Sequence, residues 1–238
     1  MLSIVIPCYN EQDNLEKLFS KLILLTQTYS EEDIEIIIVD NGSTDNSNKL
    51  MKDSNLFLDK KFKFVEIKKN IGYGNGVYEG IKNSTKKNIA WIHADLQTEP
   101  SDVIEMYKLT KQKLLAGDCI IKGKRTKRSF IDVFFTTGMS VVTYLLFKKK
   151  LNDINAQPKI FNRNFLKKLK NVPLDFSFDI FFLLVAQKEN LKIFEYPIVV
   201  HKRYAGEAKG GGSLKLKIKL TLRTFSYMID LKKRGFLN

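Results

Sequence analysis

Four short segments each close an apolar run with residues that can do chemistry. They read Pro7-Cys8-Tyr9-Asn10-Glu11, Asp40-Asn41-Gly42-Ser43-Thr44-Asp45, Asn70-Ile71-Gly72-Tyr73-Gly74-Asn75-Gly76 and His93-Ala94-Asp95-Leu96-Gln97. Carboxylates in such places accept hydrogen bonds from N–H and hydroxyl groups, or hold a hard divalent cation through oxygen. Two basic groups follow, Gly123-Lys124-Arg125 and Arg203-x-x-Gly206-x-x-Lys209. Arginine forks suit phosphate oxygens, and lysine adds a compact charge. Taken singly, all of these have commoner uses. Asp40 and Asp95 could cap a helix or shape a turn, the three glycines could permit a tight turn into a helix, and each cation could be solvated surface. The spacing Gly-x-Gly-x-Gly is not the dinucleotide fingerprint, and it follows the third strand rather than the first, which disfavours a nicotinamide-dependent dehydrogenase.

The elements that must position these residues alternate. Residues 2–6, 34–39, 62–67, 88–92 and 118–122 are short, β-branched, nearly continuous apolar runs that predict strands. Helical patterns fall between them at 11–29, 43–54, 72–84 and 100–115. This is the pattern of an α/β fold with a mostly parallel sheet covered on both faces. Such sheets bind ligands beyond the carboxyl ends of their strands, which is where the segments at 7–11, 40–45 and 93–97 fall. The second half is less regular. It holds an apolar stretch at 131–147, a turn-rich segment at 152–163, helix-like runs at 164–170 and 176–188, a strand at 192–200 and a Gly/Lys-rich loop at 203–212. The tail carries Leu214, Ile218, Leu222, Phe225 and Ile229 at helical spacing, although 214–220 also alternates with period two.

Composition bounds the rest. The chain has 238 residues, 44% of them hydrophobic, enough for one α/β domain with a real core. Forty Lys and Arg against 26 Asp and Glu leave +14, which suits an anionic partner: nucleic acid, an acidic membrane or a phosphorylated substrate. Cys8 and Cys119 stand apart from any spaced framework and read as buried free thiols in a reducing compartment. Leu2 begins a strand-like run with no basic region before it, and no stretch reaches the roughly 20 apolar residues of a spanning helix. The expectation is a cytoplasmic protein without a transmembrane segment. Lysines and arginines flank 131–147 and line the 213–238 tail, as an interfacial anchor on an anionic membrane requires. Ordinary core-facing helices would show much the same pattern. No motif that reads DNA or RNA is present, and the basic residues lie beside apolar segments, so nucleic acid is not expected as a partner.

The four segments, in this order and each after a predicted strand, resemble the inverting GT-A glycosyltransferases of family 2, and within them the dolichyl- and polyprenyl-phosphate sugar synthases. The similarity runs over roughly residues 1–210. It implies a GT-A domain over 1–212, with a Rossmann-like nucleotide-binding half, followed by a basic amphipathic helix at 213–238. It implies a nucleotide-sugar donor held by Pro7, Tyr9, Glu11, Asp40, Ala94 and Asp95, and a divalent metal, Mg²⁺ or Mn²⁺, at Asp95 with Gln97. The family's Asp-x-Asp here reads His93-Ala94-Asp95. His93 therefore either ligates the ion, shifting preference toward Mn²⁺, or only packs beside it.

The same resemblance places the acceptor, a polyprenyl phosphate, near Asp153, Gln157 and Lys159 in Asp153-Ile154-Asn155-Ala156-Gln157-Pro158-Lys159, and gives Arg125, Arg203 and Lys209 to the phosphates. Transfer would rest on Asp95 and those three cations. A phosphate monoester with a second pKa of about 6 is largely dianionic at neutral pH and needs no general base. The rival acceptor, a sugar or protein hydroxyl, does need one, and Asp153, Asp175 and Asp179 are its candidates.

Overall fold

The computed structural model describes residues 1–126, 130–206 and 213–236. Strands β1 (Leu2–Cys8), β2 (Ile34–Asn41), β3 (Phe62–Ile67), β4 (Asn88–Trp91), β5 (Cys119–Thr126), β6 (Lys159–Asn162) and β7 (Lys192–Val199) join in one sheet, ordered β3-β2-β1-β4-β6-β5-β7. Every residue of β2 is buried, because both faces of the sheet are covered. Leu2, Ile4 and Ile6 pack on one side with α1 (Gln12–Thr28) and α4 (Pro100–Ala116). Val5 packs on the other with α3 (Tyr73–Asn83) and α6 (Phe178–Lys188). Helix α1 offers Leu15, Leu18, Leu22 and Leu25 to its core at steps of three and four. Helix α4 starts on Pro100, where a missing N–H costs nothing, and stops at Gly117 with φ 81°. The second core is aromatic: Trp91 meets Phe161, Phe178 and Phe182 edge-on at 6.0, 5.7 and 4.8 Å between ring centres.

Strand β6 is the element the sequence concealed. Its four residues lie inside the segment read as turns, and it runs antiparallel to both β4 and β5. The reversal has a consequence for the site. Lys159, the first residue of β6, pairs with Trp91 at the carboxyl end of β4 and with Lys122 of β5. Residues 153–158, which lead into β6, are thereby delivered to the same sheet edge as 93–97. The helix predicted over 43–54 shortens to α2 (Ser47–Lys52), since residues 43–46 are spent on the loop before it, and the run at 164–170 is a 3-10 turn at Arg163–Lys168.

Helix α5 (Phe130–Phe147) buries only Met139, Thr143 and Phe147, a single seam four residues apart. Helix α7 (Leu214–Lys233) settles the mixed periodicity of the tail as helix and buries Thr224, Met228 and Leu231. The two helices touch through Thr143 Oγ1 and Met228 Sδ at 3.4 Å and through the Lys217–Asp132 ion pair at 2.7 Å. By length and composition α5 is apolar enough to cross a membrane, with mean hydropathy 1.6 over 18 residues and 17% of them buried. The sequence expectation set this stretch aside as a spanning segment because it falls short of about 20 unbroken apolar residues and carries Asp132 and Gly138.

Candidate functional site

The loops after β1 and β2 are built as one unit. Asn10 N–H donates to Ser43 Oγ at 3.0 Å, Thr44 N–H returns a bond to Asn10 Oδ1 at 2.7 Å, and Glu11 N–H donates to Ser47 Oγ at 2.9 Å. Asp40 is 1% exposed. Its Oδ1 accepts from Ser43 N–H at 3.0 Å and its Oδ2 from Asn48 Nδ2 at 2.6 Å. The expected nucleoside contact at Asp40 is thus a carboxylate already engaged in shaping its own loop. Pro7 and Tyr9 are half-buried on the rim beside it. Gly42 is obligatory in this unit: its φ is +72°, and a Cβ would stand 2.3 Å from the backbone nitrogen of Asn70.

The loop after β4 carries Asp95. Its Oδ1 accepts from Gln97 N–H at 3.1 Å, an Asx turn, and Ala94 is buried beneath it. Leu96 adopts φ 59° and is 4% exposed, so a left-handed leucine is held by burying its side chain in the first core. Asn10 and Asp153, in neighbouring loops, also have positive φ. Backbone strain of this kind persists where surrounding contacts over-determine it, and it gathers at functional sites. Asn and Asp enter this region more readily than other side chains, so of the three only Leu96 is unsignalled by residue type.

The segment after β7 closes over this edge. Gln97 and His201 exchange backbone and side-chain bonds, His201 N–H to Gln97 O at 2.9 Å and Gln97 Nε2 to His201 O at 3.5 Å. Asn14 and Ala205 do the same at 3.2 and 3.0 Å. Between these two ties the Arg203 guanidinium reaches Asp95 Oδ2 at 3.1 Å and both oxygens of Glu11. Arg203 was expected to grip phosphate; here it joins two carboxylates. Lys209, assigned to the same task, lies outside the described residues.

Among the residues expected to face the acceptor, Arg125 makes a forked pair with Asp153, Nε to Oδ1 at 3.0 Å, and its own backbone N–H donates to Asp153 Oδ2 at 2.9 Å. Gly123 is required because a Cβ there would meet the carbonyl oxygen of Gln157 at 2.4 Å. Lys159 is 0% exposed and its ammonium binds Asp179 Oδ1, which also accepts from Gln157 Nε2 at 3.0 Å. The structure therefore sets Lys159 beneath residues 153–158 rather than on their surface. Burial, opposed by the charge of Asp179, brings its pKa down to about 8. Lys122, its register partner on β5, is likewise buried and shifted down by desolvation, with Glu195 at 3.3 Å.

The Gly72/Gly74/Gly76 run serves packing. Added Cβ atoms would strike Leu174 O at 2.2 Å, Pro173 O at 2.5 Å and Asn41 Cγ at 2.8 Å. Gly72 and Gly74 let the start of α3 lie against residues 173–175, Gly76 lets it lie on Asn41, and Asn75 N–H donates to Leu174 O at 2.9 Å. Sequence reading missed the residue this packing installs. Tyr73 lies between the rings of Phe176 and His93, at 5.2 and 5.3 Å. Its place between two glycines was the only signal for it.

Six chain segments thus converge at one edge of the sheet: 7–11, 40–45, 93–97, 123–125, 153–158 and 201–205. The profile of Glycosyl transferase family 2 matches residues 3–169 of this chain, most of its length. The chain belongs to glycosyltransferase family 2. Among curated family members it is 29% identical to a dolichyl-phosphate beta-glucosyltransferase of Dictyostelium discoideum, over 83% of this chain and 65% of the relative. It is 25% identical to the Saccharomyces cerevisiae protein of that name, over 97% and 76% of the two chains. It is also 25% identical to a dodecaprenyl-phosphate galacturonate synthase of Rhizobium johnstonii, over 98% and 68%. The chain thus spans just under two thirds of the first of these and somewhat more of the others. In fold it matches glucosyl-3-phosphoglycerate synthase of Mycobacterium tuberculosis, solved with Mn²⁺, UDP-glucose and phosphoglyceric acid, with TM-score 0.73 and 13% identity over 98% of this chain and 80% of that one. At that identity the likeness is one of fold. The sheet of this glycosyltransferase is the GT-A sheet, and the sequence expectation of that fold holds.

Proposed function

We propose that this glycosyltransferase moves a sugar from a nucleoside-diphosphate sugar to a polyprenyl phosphate, with inversion, at the cytoplasmic surface of a membrane. The observation that carries the acceptor class is the state of the three carboxylates that could serve a hydroxyl acceptor as base. Asp153 is forked by Arg125, Asp179 is bound by the Lys159 ammonium, and Asp175 pairs with Arg223 Nε at 2.6 Å. Each is committed to a cation, so none is poised to take a proton. A phosphate nucleophile is already ionised and needs none. The polyprenyl-phosphate relatives support the same reading.

A divalent cation suits the residues at Asp95. Glu11 and Asp95 converge on one cationic group, Arg203, so the spot attracts positive charge and offers hard oxygen donors. Among the described residues no group of three His, Cys, Asp or Glu gathers tightly enough to hold an ion unaided. Asp95, with Gln97 beside it, would hold the ion jointly with the donor's own phosphates, a usual arrangement for Mg²⁺. When bound, such an ion neutralises the charge that grows on the departing diphosphate. Pro7, Tyr9, Glu11, Asp40 and Ala94 border the space for the nucleoside, and Arg125 with Gln157 borders the space for the acceptor phosphate.

The membrane reading rests on α5 and α7. Phe130, Phe134 and Leu145 are 85%, 68% and 62% exposed, and Leu214 and Leu222 are 57% and 60% exposed. Leu214 and Leu222 share α7 with Lys215, Lys217, Lys219 and Arg223, and α5 packs beside that helix, the mixture that binds anionic bilayers. The proposal is tested by ³¹P NMR of polyprenyl phosphate in anionic vesicles, with purified protein, Mn²⁺ and a panel of nucleotide sugars. The monoester signal should convert to a diester with at least one donor. Donor hydrolysis without any diester would overturn the assigned acceptor.

A further inference from the structure

Asp179 stands in the first turn of α6, 3% exposed, and gathers hydrogen bonds from three separate segments. The Lys159 ammonium of β6 binds its Oδ1, and Gln157 Nε2 donates to the same oxygen at 3.0 Å. The Tyr73 hydroxyl, at the start of α3, bonds this carboxylate as well. Trp91 Nε1 and Gln157 Nε2 each donate to the Tyr73 oxygen at 3.2 Å. A carboxylate is the strongest acceptor within reach of the phenol proton, ahead of His93 Nε2 at 3.4 Å. Both Gln157 Nε2 hydrogens are then used, one on Asp179 and one on Tyr73. The amide oxygen of Gln157 is buried and has no partner among the described residues. What orients this amide therefore comes through its nitrogen, and Asp179 is the charged part of it.

We infer that Asp179 is a positioning residue for transfer: its carboxylate locks Gln157 to Tyr73 and so fixes residues 153–158 against the loop at 93–97. The network leads to the site edge at both ends. Beyond Gln157, Pro158 O accepts from Gly123 N–H at 2.8 Å, two residues before Arg125. Beyond Tyr73, the phenol ring stacks on His93 at 5.3 Å. The Lys159 ammonium also lies over the Trp91 ring, 5.1 Å from a ring centre, so the indole that bonds Tyr73 is held by the same ion pair. Two roles of Asp179 are separable. As counter-ion of Lys159 it needs only charge, and apolar residues can replace such a pair at little cost in stability. As the lock on Gln157 it needs an accepting oxygen, charged or not.

The inference rests on the proposed donor and acceptor edges, and its test keeps the two readings apart. Lys159→Met with Asp179→Asn removes both charges but leaves a carbonyl oxygen for Gln157. Lys159→Met with Asp179→Leu removes both charges and the oxygen. The two full-length double variants are compared, once thermal unfolding shows that each is folded, for transfer to polyprenyl phosphate in anionic vesicles with Mn²⁺. The leucine variant should show kcat about 10²-fold below the asparagine variant, with donor KM within about twofold. Hydrogen exchange of the Gln157 side-chain amide, followed by ¹⁵N NMR without donor, acceptor or metal, should be slow in wild type and faster in the leucine variant. A counter-ion alone would move Tm and leave kcat equal in the two variants. Equal kcat in the folded pair therefore overturns the inference. So does a wild-type Gln157 amide that exchanges as fast as that of exposed Gln27, whichever variants fold. If wild type modifies no lipid phosphate, the proposed acceptor falls, and amide exchange still decides whether Asp179 locks Gln157.

Discussion

Arg203 Nη1 stands 3.1 Å from the carboxylate of Asp95, the residue proposed to hold the metal. The same guanidinium binds Glu11, and both partners are nearly buried, Arg203 at 13% and Asp95 at 8% side-chain exposure. A charge pair this enclosed is costly to break without a substitute. In the proposed reaction a divalent ion held at Asp95 would supply that substitute, and Arg203 would be left to bind the donor's phosphate oxygens.

That exchange predicts the behaviour of Arg203→Ala. Turnover should fall by about 10²-fold, the usual cost of losing one donor to a developing anion. Mn²⁺ should bind the free variant more tightly than the free wild type, because the competing internal cation has gone. Steady-state kinetics and Mn²⁺ titration by electron paramagnetic resonance check the pair of outcomes. A rise in donor KM with turnover intact would make Arg203 a ground-state binding residue instead.

Asp95→Asn should abolish transfer while leaving the fold in place. Glu11 still compensates Arg203 in that variant, so Tm should move by no more than about 5 °C, equivalent to one or two kcal/mol in a chain of this size. Circular dichroism and donor-hydrolysis assays with Mg²⁺ and Mn²⁺ measure both. Near-normal turnover in the presence of EDTA would remove the metal from the account.

The Lys159–Asp179 pair predicts an asymmetric mutant cycle. Lys159→Met alone leaves a buried carboxylate uncompensated and should cost about 3–5 kcal/mol, whereas Lys159→Met with Asp179→Asn should recover much of that. The pH dependence has a definite sign. Burial holds the folded pKa of Lys159 at about 8, below the ordinary 10.5. Between those values the unfolded chain binds more protons, so this group makes stability rise with pH across that window. Urea unfolding of wild type and Lys159→Met at several pH values should show the difference between their slopes. Parallel slopes would mean the ammonium titrates normally.

Most of the fold was legible because apolar runs and helix periods are local signals. The four loop motifs were legible for the same reason: each follows a strand whose end is marked by its own residues. What escaped was set by tertiary contact. Lys159-Ile160-Phe161-Asn162 is too short and too polar at its ends to announce a strand, and only pairing between β4 and β5 makes it one. Lys159 was expected on the acceptor side, and its burial was not legible because sequence cannot show Asp179 arriving from α6. The glycines at 72, 74 and 76 read as a tight entry into a helix, and only the fold shows what they admit: residues 173–175 against Gly72 and Gly74, and Asn41 against Gly76. Tyr73 was quoted inside a motif and passed over, since its partners come from three distant segments.

Membrane attachment should be reversible and partly electrostatic. Full-length protein should float with vesicles containing anionic lipid, and raising salt should weaken the association without abolishing it, because each surface cation contributes about 1 kcal/mol only within a Debye length. Phe134→Ser with Leu145→Ser should remove the salt-resistant part. Flotation that vanishes wholly at high salt would leave the exposed faces of α5 and α7 without a role at the bilayer.

The measurement closest to the central claim offers both acceptor classes at once. Purified protein receives labelled nucleotide sugar, Mn²⁺, polyprenyl phosphate in vesicles and an equal concentration of oligosaccharide acceptors, and the label is followed into lipid and aqueous products. The committed states of Asp153, Asp175 and Asp179 predict that label enters the lipid phosphate, with inverted anomeric configuration and a rate that climbs with the second ionisation of the acceptor phosphate near pH 6. Label appearing in the saccharide while the lipid phosphate stays unmodified would contradict the account.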